Sequence, residues 1–302
     1  MTTLTIYILC HNRPDETRQA IQSVLKQTDQ TFILIVSDNS SNDEVEQMVK
    51  QEFSAAQYIR RQPMLPSAHH FKCVIDEAQG DYFCMFHDDD LMHPEFVSAM
   101  REAILNFPAA TALACNASVE YFGKVNRYPS FRSFRKYELI ASPCNLAMRY
   151  FSRSQSGIAP FPGYVYRRSQ ISSALLAVDG GKYSDVTWLL NIARIGQIVW
   201  LTQPLMTYRL HVGSDGGVES LRDRLRFLGY LKQNRTLMGE NLIADYRCSF
   251  IYKTIAKRVG SVHLKQLKVA DAFVKTYRWT RYLRLDTYRS LVNRALIKLF
   301  SR

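Results

Sequence analysis

Residues 82–90 read Tyr-Phe-Cys-Met-Phe-His-Asp-Asp-Asp, so three consecutive carboxylates directly follow an apolar run. Such a run is typical of a strand that is buried on both faces. α/β sheets bind their ligands at the carboxyl ends of such strands. Adjacent carboxylates repel one another unless a cation is present, and hard oxygen ligands favour Mg²⁺ or Mn²⁺. Asp88, Asp89 and Asp90 therefore form either a cation site or a solvated acidic turn before the next helix, and the strand before them favours the cation site.

Short apolar runs and helical patterns alternate on both sides of this stretch. Strands are predicted over residues 4–9, 32–36, 58–60, 82–86, 112–115, 163–167, 198–201 and 205–209, and helices begin near Asn12, Phe71 and Ser184. This alternation predicts an α/β fold, a mostly parallel sheet flanked by helices. Three polar segments that follow strands should then meet at one edge of the sheet: Cys10–Arg13, Ser37–Ser41 and His87–Asp90.

Composition narrows the class of protein. The chain has 302 residues, of which 47% are hydrophobic and 22% charged, which is too apolar for a disordered or fibrous protein. Its six cysteines are scattered without metal-binding spacing, which favours reduced thiols in a cytoplasmic protein. No apolar run reaches about 20 residues and no charged-then-apolar leader is visible, so neither a membrane span nor a signal peptide is expected.

Positive charge is concentrated in the last part of the chain. Residues 219–302 contain 19 basic and 6 acidic residues, against 20 and 21 in residues 1–218. We expect two parts, an α/β domain over residues 1–215 and a basic α-helical extension over residues 216–302. The asymmetry indicates an anionic partner, either acidic lipid or nucleic acid. Because no recognition motif accompanies the charge, nucleic acid is not the expected partner.

The end of this extension has an amphipathic pattern. From Leu285 onward, apolar residues share one helical face: Tyr288, Val292, Ala295, Leu296 and Leu299. Arg294, Lys298 and Arg302 fall on the other face. Such a helix either lies on an anionic membrane surface or docks on the α/β domain with a solvated basic face, and the pattern leaves both possibilities open.

Several motifs occur together in the order found in one known family. They are Cys-His-Asn-Arg-Pro at 10–14, Ser-Val-Leu-Lys-Gln-Thr at 23–28, Ser-Asp-Asn-Ser-Ser at 37–41, Ala-Gln-Gly-Asp-Tyr at 78–82, His-Asp-Asp-Asp at 87–90, Asp185, and Tyr-Arg-Leu-His at 208–211. With this combination, about the first 215 residues resemble the family 2 glycosyltransferases of the GT-A fold. The resemblance implies an inverting, metal-dependent transfer of a sugar from a nucleotide-diphosphate donor. A UDP-sugar is expected, with dTDP- and GDP-sugars open.

The resemblance also suggests an acceptor and a location. The family makes bacterial surface polysaccharides, including O-antigen, lipopolysaccharide and capsule, so a glycan or lipid-linked glycan acceptor is expected. The enzyme would be cytoplasmic and peripheral on the inner membrane, with its basic extension on the anionic lipid surface.

Donor-site roles follow from the same resemblance. Asp38 matches the acid that binds the donor base in relatives. The turn that walls the base and ribose is matched by His11, Asn12 and Arg13. His70 stands where related sequences have asparagine and is expected beside the donor, the alternative being a histidine that caps a helix.

The acidic motif departs from the usual Asp-x-Asp-Asp of the family, because His87 occupies its first position. In that register Asp89 is the expected ligand of Mn²⁺ or Mg²⁺, Asp88 contacts the ribose or the metal, and Asp90 supports the site. His211 resembles the histidine that completes the metal site in many relatives. Which aspartate touches the ion stays open.

Asp185 resembles the catalytic base of the family. A carboxylate near the start of a helix is by itself more simply a cap, whereas an inverting transfer needs a base beside the acceptor hydroxyl. Gly163, Tyr164 and Trp188 are candidate acceptor contacts, although Trp188 could equally belong to the core. The glycines at 213, 216 and 217 suggest a loop that closes over the donor.

Two other classes of protein compete with this interpretation. A sugar-nucleotide pyrophosphorylase has a similar fold and also uses acidic metal ligands. Such an enzyme normally carries a glycine-rich, basic N-terminal loop, and Cys10–Arg13 contains no glycine. A non-catalytic nucleic-acid binder is the third class.

Overall fold

Strands and helices alternate in a computed structural model, which describes residues 2–126, 129–151, 157–171, 174, 176, 182–211, 220–240, 242–244 and 246–247. The described strands are β1 (Leu4–Cys10), β2 (Phe32–Asp38), β3 (Gln57–Arg60), β4 (Tyr82–His87), β5 (Leu91–Met92), β6 (Ala112–Tyr121), β7 (Lys124–Val125), β8 (Tyr137–Ile140), β9 (Tyr164–Arg167) and β10 (Ile198–Leu210). The described helices are α1 (Pro14–Leu25), α2 (Glu44–Glu52), α3 (Ser67–Asp76), α4 (Phe96–Asn106), α5 (Pro143–Phe151), α6 (Arg168–Ile171), α7 (Ser184–Ile195) and α8 (Leu221–Gln233).

One sheet joins all of these strands. Its order is β3-β2-β1-β4-β9-β6-β10-β5, with β7 beside β6 and β8 beside β10. β3, β2, β1 and β4 run parallel to one another, and β10 runs parallel to β6. Because β9 is antiparallel to both β4 and β6, the strands β6 and β10 point in the same direction as β1 and β4. The expected α/β fold with a mostly parallel sheet is confirmed, and the strand ends share one edge.

The central strands are buried because both faces of the sheet are covered. All of β1 is buried, and so is β4 except at His87. Continuous apolar strands of this kind need helices on both faces. Helix α1 begins at Pro14 with Asp15 and Glu16 in its first turn, as the sequence predicts. The side chains of Ala20, Ile21 and Val24 on this helix pack into the core.

The strand after α7 differs from the prediction. Two strands, 198–201 and 205–209, are expected, whereas β10 runs unbroken from Ile198 to Leu210. Its register against β6 shifts between Leu201 and Pro204 and again before Met206. A bulge accommodates proline, which has no N–H for the ladder, so the strand continues past it. The sequence also misses β5, β7 and β8, and α3 begins at Ser67 rather than at Phe71.

Contacts divide the chain into two compact units. The first contains the sheet, and the second contains most of α5 together with α8. Helix α8 begins with a capping box in which Ser220 Oγ accepts from the Asp223 N–H at 3.1 Å. In the second unit the Phe227 ring meets the Tyr246 ring edge-on at 5.2 Å.

Some expectations fall on residues that the structure does not describe. The predicted amphipathic helix from Leu285 onward and the glycine-containing loop over residues 213–217 both lie outside the described residues. Among the helices that are described, none is both long enough and apolar enough to cross a membrane. Four of the described cysteines are free thiols: Cys10, Cys73, Cys84 and Cys115.

Candidate active site

A cavity of about 500 Å³ opens at the carboxyl edge of the sheet in the first unit. Strands β1, β4 and β10 contribute to it, together with the starts of α3 and α7. Its walls contain both apolar and ionisable side chains: Leu9, Cys10, His11, Arg13, Asn39, Met64, Leu65, Ser67, Ala68, His70, Phe71, His87, Asp88, Asp89, Phe161, Lys182, Ser184, Asp185, Tyr208 and Arg209.

The turn after β1 is tied to both neighbouring strand ends. The Asn12 N–H donates to Ser40 Oγ at 2.8 Å, and the His11 N–H donates to Asp88 Oδ2 at 3.0 Å. Asn12 has φ of +54°, a left-handed conformation that asparagine tolerates better than most residues. The Asn12 side chain bonds Ser41 and does not line the cavity, whereas His11 does. The three polar segments predicted to meet are therefore in contact.

The Asp38 carboxylate is fully buried and does not line the cavity. Its Oδ2 accepts from the Tyr58 hydroxyl at 2.6 Å and from Arg60 Nη1 at 3.0 Å. Its Oδ1 accepts from the Ser40 N–H at 2.8 Å. Burial, together with the adjacent carboxylate, raises the pKa of Tyr58, so this phenol stays a donor. All of these hydrogen bonds connect the Asp38 carboxylate to other groups of the protein.

Asn39 takes the cavity-lining position beside Asp38. Its side-chain amide donates to the Leu65 carbonyl at 2.8 Å and accepts from the Leu65 N–H at 2.8 Å. This pair of bonds fixes the segment containing Met64 and Leu65 against the cavity. The Ser-Asp-Asn motif draws attention to the aspartate, and no sequence signal distinguishes the asparagine.

His70 is buried and lines the cavity. Its Nε2 lies 2.8 Å from Ser37 Oγ, and Ser37 Oγ accepts from Arg61 Nε at 3.0 Å. Burial lowers the pKa of His70 to about 4, so the ring is neutral at neutral pH.

Arg13 bridges two of the three adjacent aspartates. Its Nη2 lies 2.5 Å from Asp88 Oδ1, and its Nη1 lies 2.7 Å from Asp89 Oδ2. Asp88 is fully buried, and burial raises its pKa to about 7 although Arg13 acts in the opposite direction. Both Asp88 oxygens are occupied, because Oδ2 also accepts from the His11 N–H at 3.0 Å.

The residues placed to hold a cation are His87, Asp89 and Asp90, whose potential ligand atoms lie within 4.8 Å of one another. Asp90 is buried and its Oδ1 accepts from the Arg209 N–H at 2.9 Å, but its Oδ2 has no hydrogen-bond partner. That oxygen lies 3.9 Å from His87 Nδ1. An unpaired buried carboxylate oxygen is costly, and a cation would satisfy it. The residues therefore fit a divalent ion.

This group differs from the expected ligand set. Asp88 is not in it because Arg13 and His11 engage its oxygens, and His87, which the sequence analysis gives no role, takes part instead. The His87 ring packs against Phe71 and Phe161, with ring centroids 5.8 and 6.0 Å away. Burial lowers the pKa of His87, which favours the neutral ring that binds metals. His211 remains beside the site, with Nε2 3.1 Å from Asp89 Oδ2.

Asp185 lies at the start of α7 and lines the same cavity as Asp88 and Asp89. Its Oδ1 accepts from the Val186 N–H at 2.8 Å, but the N-cap position of α7 is Tyr183, so Asp185 is not the N-cap residue. Burial raises the pKa of this carboxyl to about 6. It is therefore mostly ionised at neutral pH and close to the range that suits a general base.

The three candidate acceptor contacts are placed in the core rather than at the cavity. Tyr164 and Trp188 are fully buried, and neither they nor Gly163 line the cavity. A Cβ atom on Gly163 would lie 3.1 Å from both Cys115 Sγ and Met206 Sδ, so this glycine allows close packing. Phe71 and Phe161 supply the aromatic lining, although nothing in the sequence distinguishes them from core residues.

The fold is similar to that of two solved structures that contain nucleotide sugars. S. aureus TarS 1–349 in complex with UDP-GlcNAc has a TM-score of 0.64 at 13% identity, covering 88% of this chain and 77% of that one. The mannosyltransferase PcManGT from Pyrobaculum calidifontis, in complex with GDP-Man and Mn²⁺, has a TM-score of 0.53 at 13% identity, covering 99% and 87%. At these identities the likeness shows the fold alone.

A family model, and not a curated relative, places the chain in a family. Protein CgeD of Bacillus subtilis (strain 168) is 26% identical over 119 residues, which are 36% of this chain and only 28% of that protein's length. The model of glycosyl transferase family 2 matches residues 5–168, more than half of the chain. The family that the sequence motifs resemble is thereby confirmed. The chain belongs to glycosyl transferase family 2.

Proposed function

We propose that the protein transfers a sugar from a nucleotide-diphosphate donor to a glycan or lipid-linked glycan acceptor, with inversion at the anomeric carbon. The observation that carries this proposal is one cavity that contains both a carboxylate with a raised pKa, Asp185, and the acidic pair Asp88 and Asp89 with its bound guanidinium. Complexes of TarS with UDP-GlcNAc and of PcManGT with GDP-Man, two proteins of similar fold, support a nucleotide-sugar donor. We take a UDP-sugar as the first choice.

In this proposal the donor's diphosphate binds at the end of the cavity that contains Asp88 and Asp89. Mn²⁺ or Mg²⁺ bound there would neutralise the charge that develops on the leaving diphosphate. The residues that would hold the ion are Asp89, Asp90 and His87, with His211 next to Asp89. The presence of Mn²⁺ in the PcManGT complex supports this choice of ion. We propose that Asp88 orients His11 and Arg13 instead of binding the ion.

Asp185 acts as the base in this proposal. Its carboxylate takes the proton of the acceptor hydroxyl while that oxygen bonds to the anomeric carbon, and the bond from this carbon to the diphosphate oxygen breaks on the opposite face. Arg13 lines the cavity beside Asp89 and is placed to meet the negative charge of the leaving group. His11 and His70 line the remaining wall and would contact the nucleoside.

The place of the reaction is part of the proposal. We assign the acceptor to bacterial surface-polysaccharide synthesis and the enzyme to the cytoplasmic face of the inner membrane. The excess of basic residues over residues 219–302 supports attraction to anionic lipid. Most of these residues lie outside the described part of the chain.

A panel of UDP-, dTDP- and GDP-sugars tests the function directly. Thermal shift with each nucleotide sugar, with and without Mn²⁺, should show that one nucleotide raises the melting temperature most. In the absence of an acceptor, water should take its place, and slow hydrolysis of that donor should release the nucleotide. Stabilisation by sugar phosphates and nucleoside triphosphates, with pyrophosphate released, would instead indicate a nucleotidyl transfer. No stabilisation by any nucleotide would contradict the proposal.

A further inference from the structure

The hairpin between β6 and β7 exposes apolar side chains to solvent. Its tip, residues 121–125, includes Tyr121, Phe122 and Val125, whose exposed fractions are 52%, 66% and 67%. All residues from 121 to 126 are exposed, so the tip projects from the sheet. A cluster of exposed apolar side chains of this kind marks an interaction surface more often than a free one.

The backbone of the tip indicates that Phe122 is not there for folding. Glu120 pairs with Val125 and Tyr121 with Lys124, so the connecting turn is Phe122-Gly123. Both central residues have positive φ, +48° and +77°. Turns of this type prefer asparagine before glycine, and a bulky aromatic residue is strained there. Strain kept at an exposed position calls for a function that needs the aromatic ring.

The tip lies beside the mouth of the active-site cavity. In the ladder between β6 and β10, Val119 pairs with Tyr208 and Glu120 with Arg209, and both of these β10 residues line the cavity. The next residues of β6 enter the tip, where the Phe122 N–H donates to the Leu210 carbonyl at 3.1 Å. The tip therefore extends from the same sheet edge as the cavity.

Charge indicates the kind of partner. The exposed stretch from residue 121 to residue 126 contains one cation, Lys124, and no acid. Exposed aromatic residues next to lysine and arginine are typical of protein surfaces at the membrane interface, where the rings enter the headgroup region and the cations meet anionic lipid. A neutral glycan would not use the charge, and a protruding tip is not the groove that single-stranded nucleic acid requires.

We propose that the tip of the β6–β7 hairpin inserts Tyr121 and Phe122 into an anionic phospholipid surface, with Lys124 held at the headgroups. Insertion brings the mouth of the cavity next to the membrane. Only this orientation rests on the proposed function, because a lipid-linked acceptor would then be presented at the mouth. The binding itself is independent of sugar transfer.

Vesicle flotation of the full-length protein tests the proposal. Vesicles of phosphatidylcholine with phosphatidylglycerol should bind the protein at low salt, and vesicles of phosphatidylcholine alone should bind it weakly. Phe122→Asn keeps a favourable turn sequence but removes the ring, so it should weaken binding by about tenfold or more without loss of folding. Leu105→Ser is the matched control. Leu105 is 78% exposed near the end of α4, which leads to the opposite sheet edge, so this variant should bind like the wild type.

A tryptophan at the tip reports insertion without any activity measurement. The emission of Phe122→Trp should shift to shorter wavelength with anionic vesicles, beyond any change in the wild type. Unchanged vesicle binding by Phe122→Asn would overturn the proposal, as would a wild-type protein that ignores anionic vesicles. Unchanged vesicle binding with a raised KM for a soluble acceptor would assign the tip to the glycan. Binding of the protein to RNA, without binding to vesicles, would also contradict the membrane proposal. Nucleotide binding and donor hydrolysis should be normal in Phe122→Asn, so failure here is distinguishable from failure of the proposed function.

Discussion

Arg13 and Asp88 form a short ion pair in which Nη2 of the guanidinium lies 2.5 Å from Oδ1 of the fully buried carboxylate. The pair explains how three adjacent aspartates can share one strand end. Asp88 is neutralised by the protein itself, whereas Asp90 keeps an oxygen that no hydrogen bond satisfies. The three carboxylates therefore have different surroundings, and we assign them different roles.

Loss of Arg13 should destabilise the fold. Arg13→Ala leaves the buried Asp88 carboxylate without its cation, and we expect the free energy of unfolding to fall by about 2–3 kcal/mol, discounted for the partial exposure of Arg13. Chemical denaturation measures this change. Arg18→Ala is the control, because Arg18 pairs with Glu52 on the surface and its loss should cost under about 1 kcal/mol. The double variant Arg13→Ala/Asp88→Asn should regain part of the stability, and equal losses in the single and double variants would contradict the pairing argument.

Cation binding should depend on Asp90 more than on nearby surface acids. Asp90→Asn replaces the unpaired oxygen with an amide or an uncharged carbonyl, so the Kd for Mn²⁺ with bound nucleotide should rise by about tenfold or more. Titration calorimetry measures the Kd, and EDTA should abolish turnover. Glu95→Gln alters an exposed acid on the same segment and should leave the Kd unchanged. If Asp88→Asn raised the Kd for Mn²⁺ more than Asp90→Asn does, the assignment of the ligands would be wrong.

The family resemblance and the structure assign different contacts to Asp38. The resemblance implies a contact with the donor base, whereas the structure holds Asp38 with Tyr58, Arg60 and Ser40. We expect Asp38→Asn to lower the free energy of unfolding by about 2 kcal/mol, with less than about a twofold change in donor KM. Asn39→Ala, which frees the segment at Leu65, should raise the donor KM instead. A tenfold rise in donor KM for Asp38→Asn at unchanged stability would instead support the contact with the donor base that the resemblance implies.

Local sequence patterns were sufficient for strands β1 to β4 and for the meeting of the polar segments at the sheet edge, but not for the short strands β5, β7 and β8. The apolar run of β1 and the Pro-Asp-Glu start of α1 encode their own structure. The site was predicted less well because its details depend on distant partners. Nothing near Asp88 in the sequence reveals that Arg13 forms an ion pair with it. Nothing near Asp38 reveals that the Tyr58 hydroxyl donates to its carboxylate. Phe161 and His87 come together only through tertiary packing.

The basic end of the chain should add to membrane binding independently of the hairpin tip. Residues 285–302 contain four basic residues and one acid, and each basic residue near an anionic surface contributes about 1 kcal/mol. Deletion of these residues should weaken binding to anionic vesicles, and added salt should weaken it in the wild type. Flotation of the truncated protein measures the effect, with activity on a soluble acceptor as the control. Unfolding of the truncated protein would show that these residues belong to the core.

The pH dependence of turnover should report Asp185. Its pKa is raised to about 6 by burial, and only the ionised carboxylate can accept the acceptor's proton. Turnover should therefore be lost as the pH falls through about 6 and should level off above it. Nucleotide release measured across this range gives the profile. An unchanged rate down to pH 5 would exclude Asp185 as the base.

The turnover of Asp185→Asn, measured beside its donor affinity, tests the central claim most directly. Asparagine keeps the size of the side chain and removes the base, so turnover with donor and acceptor should fall by about 10²–10⁴-fold. The Kd for the donor should stay within about twofold of the wild type, because the base contacts the acceptor. Near-normal turnover, or a lost donor affinity with turnover retained at saturation, would contradict the account.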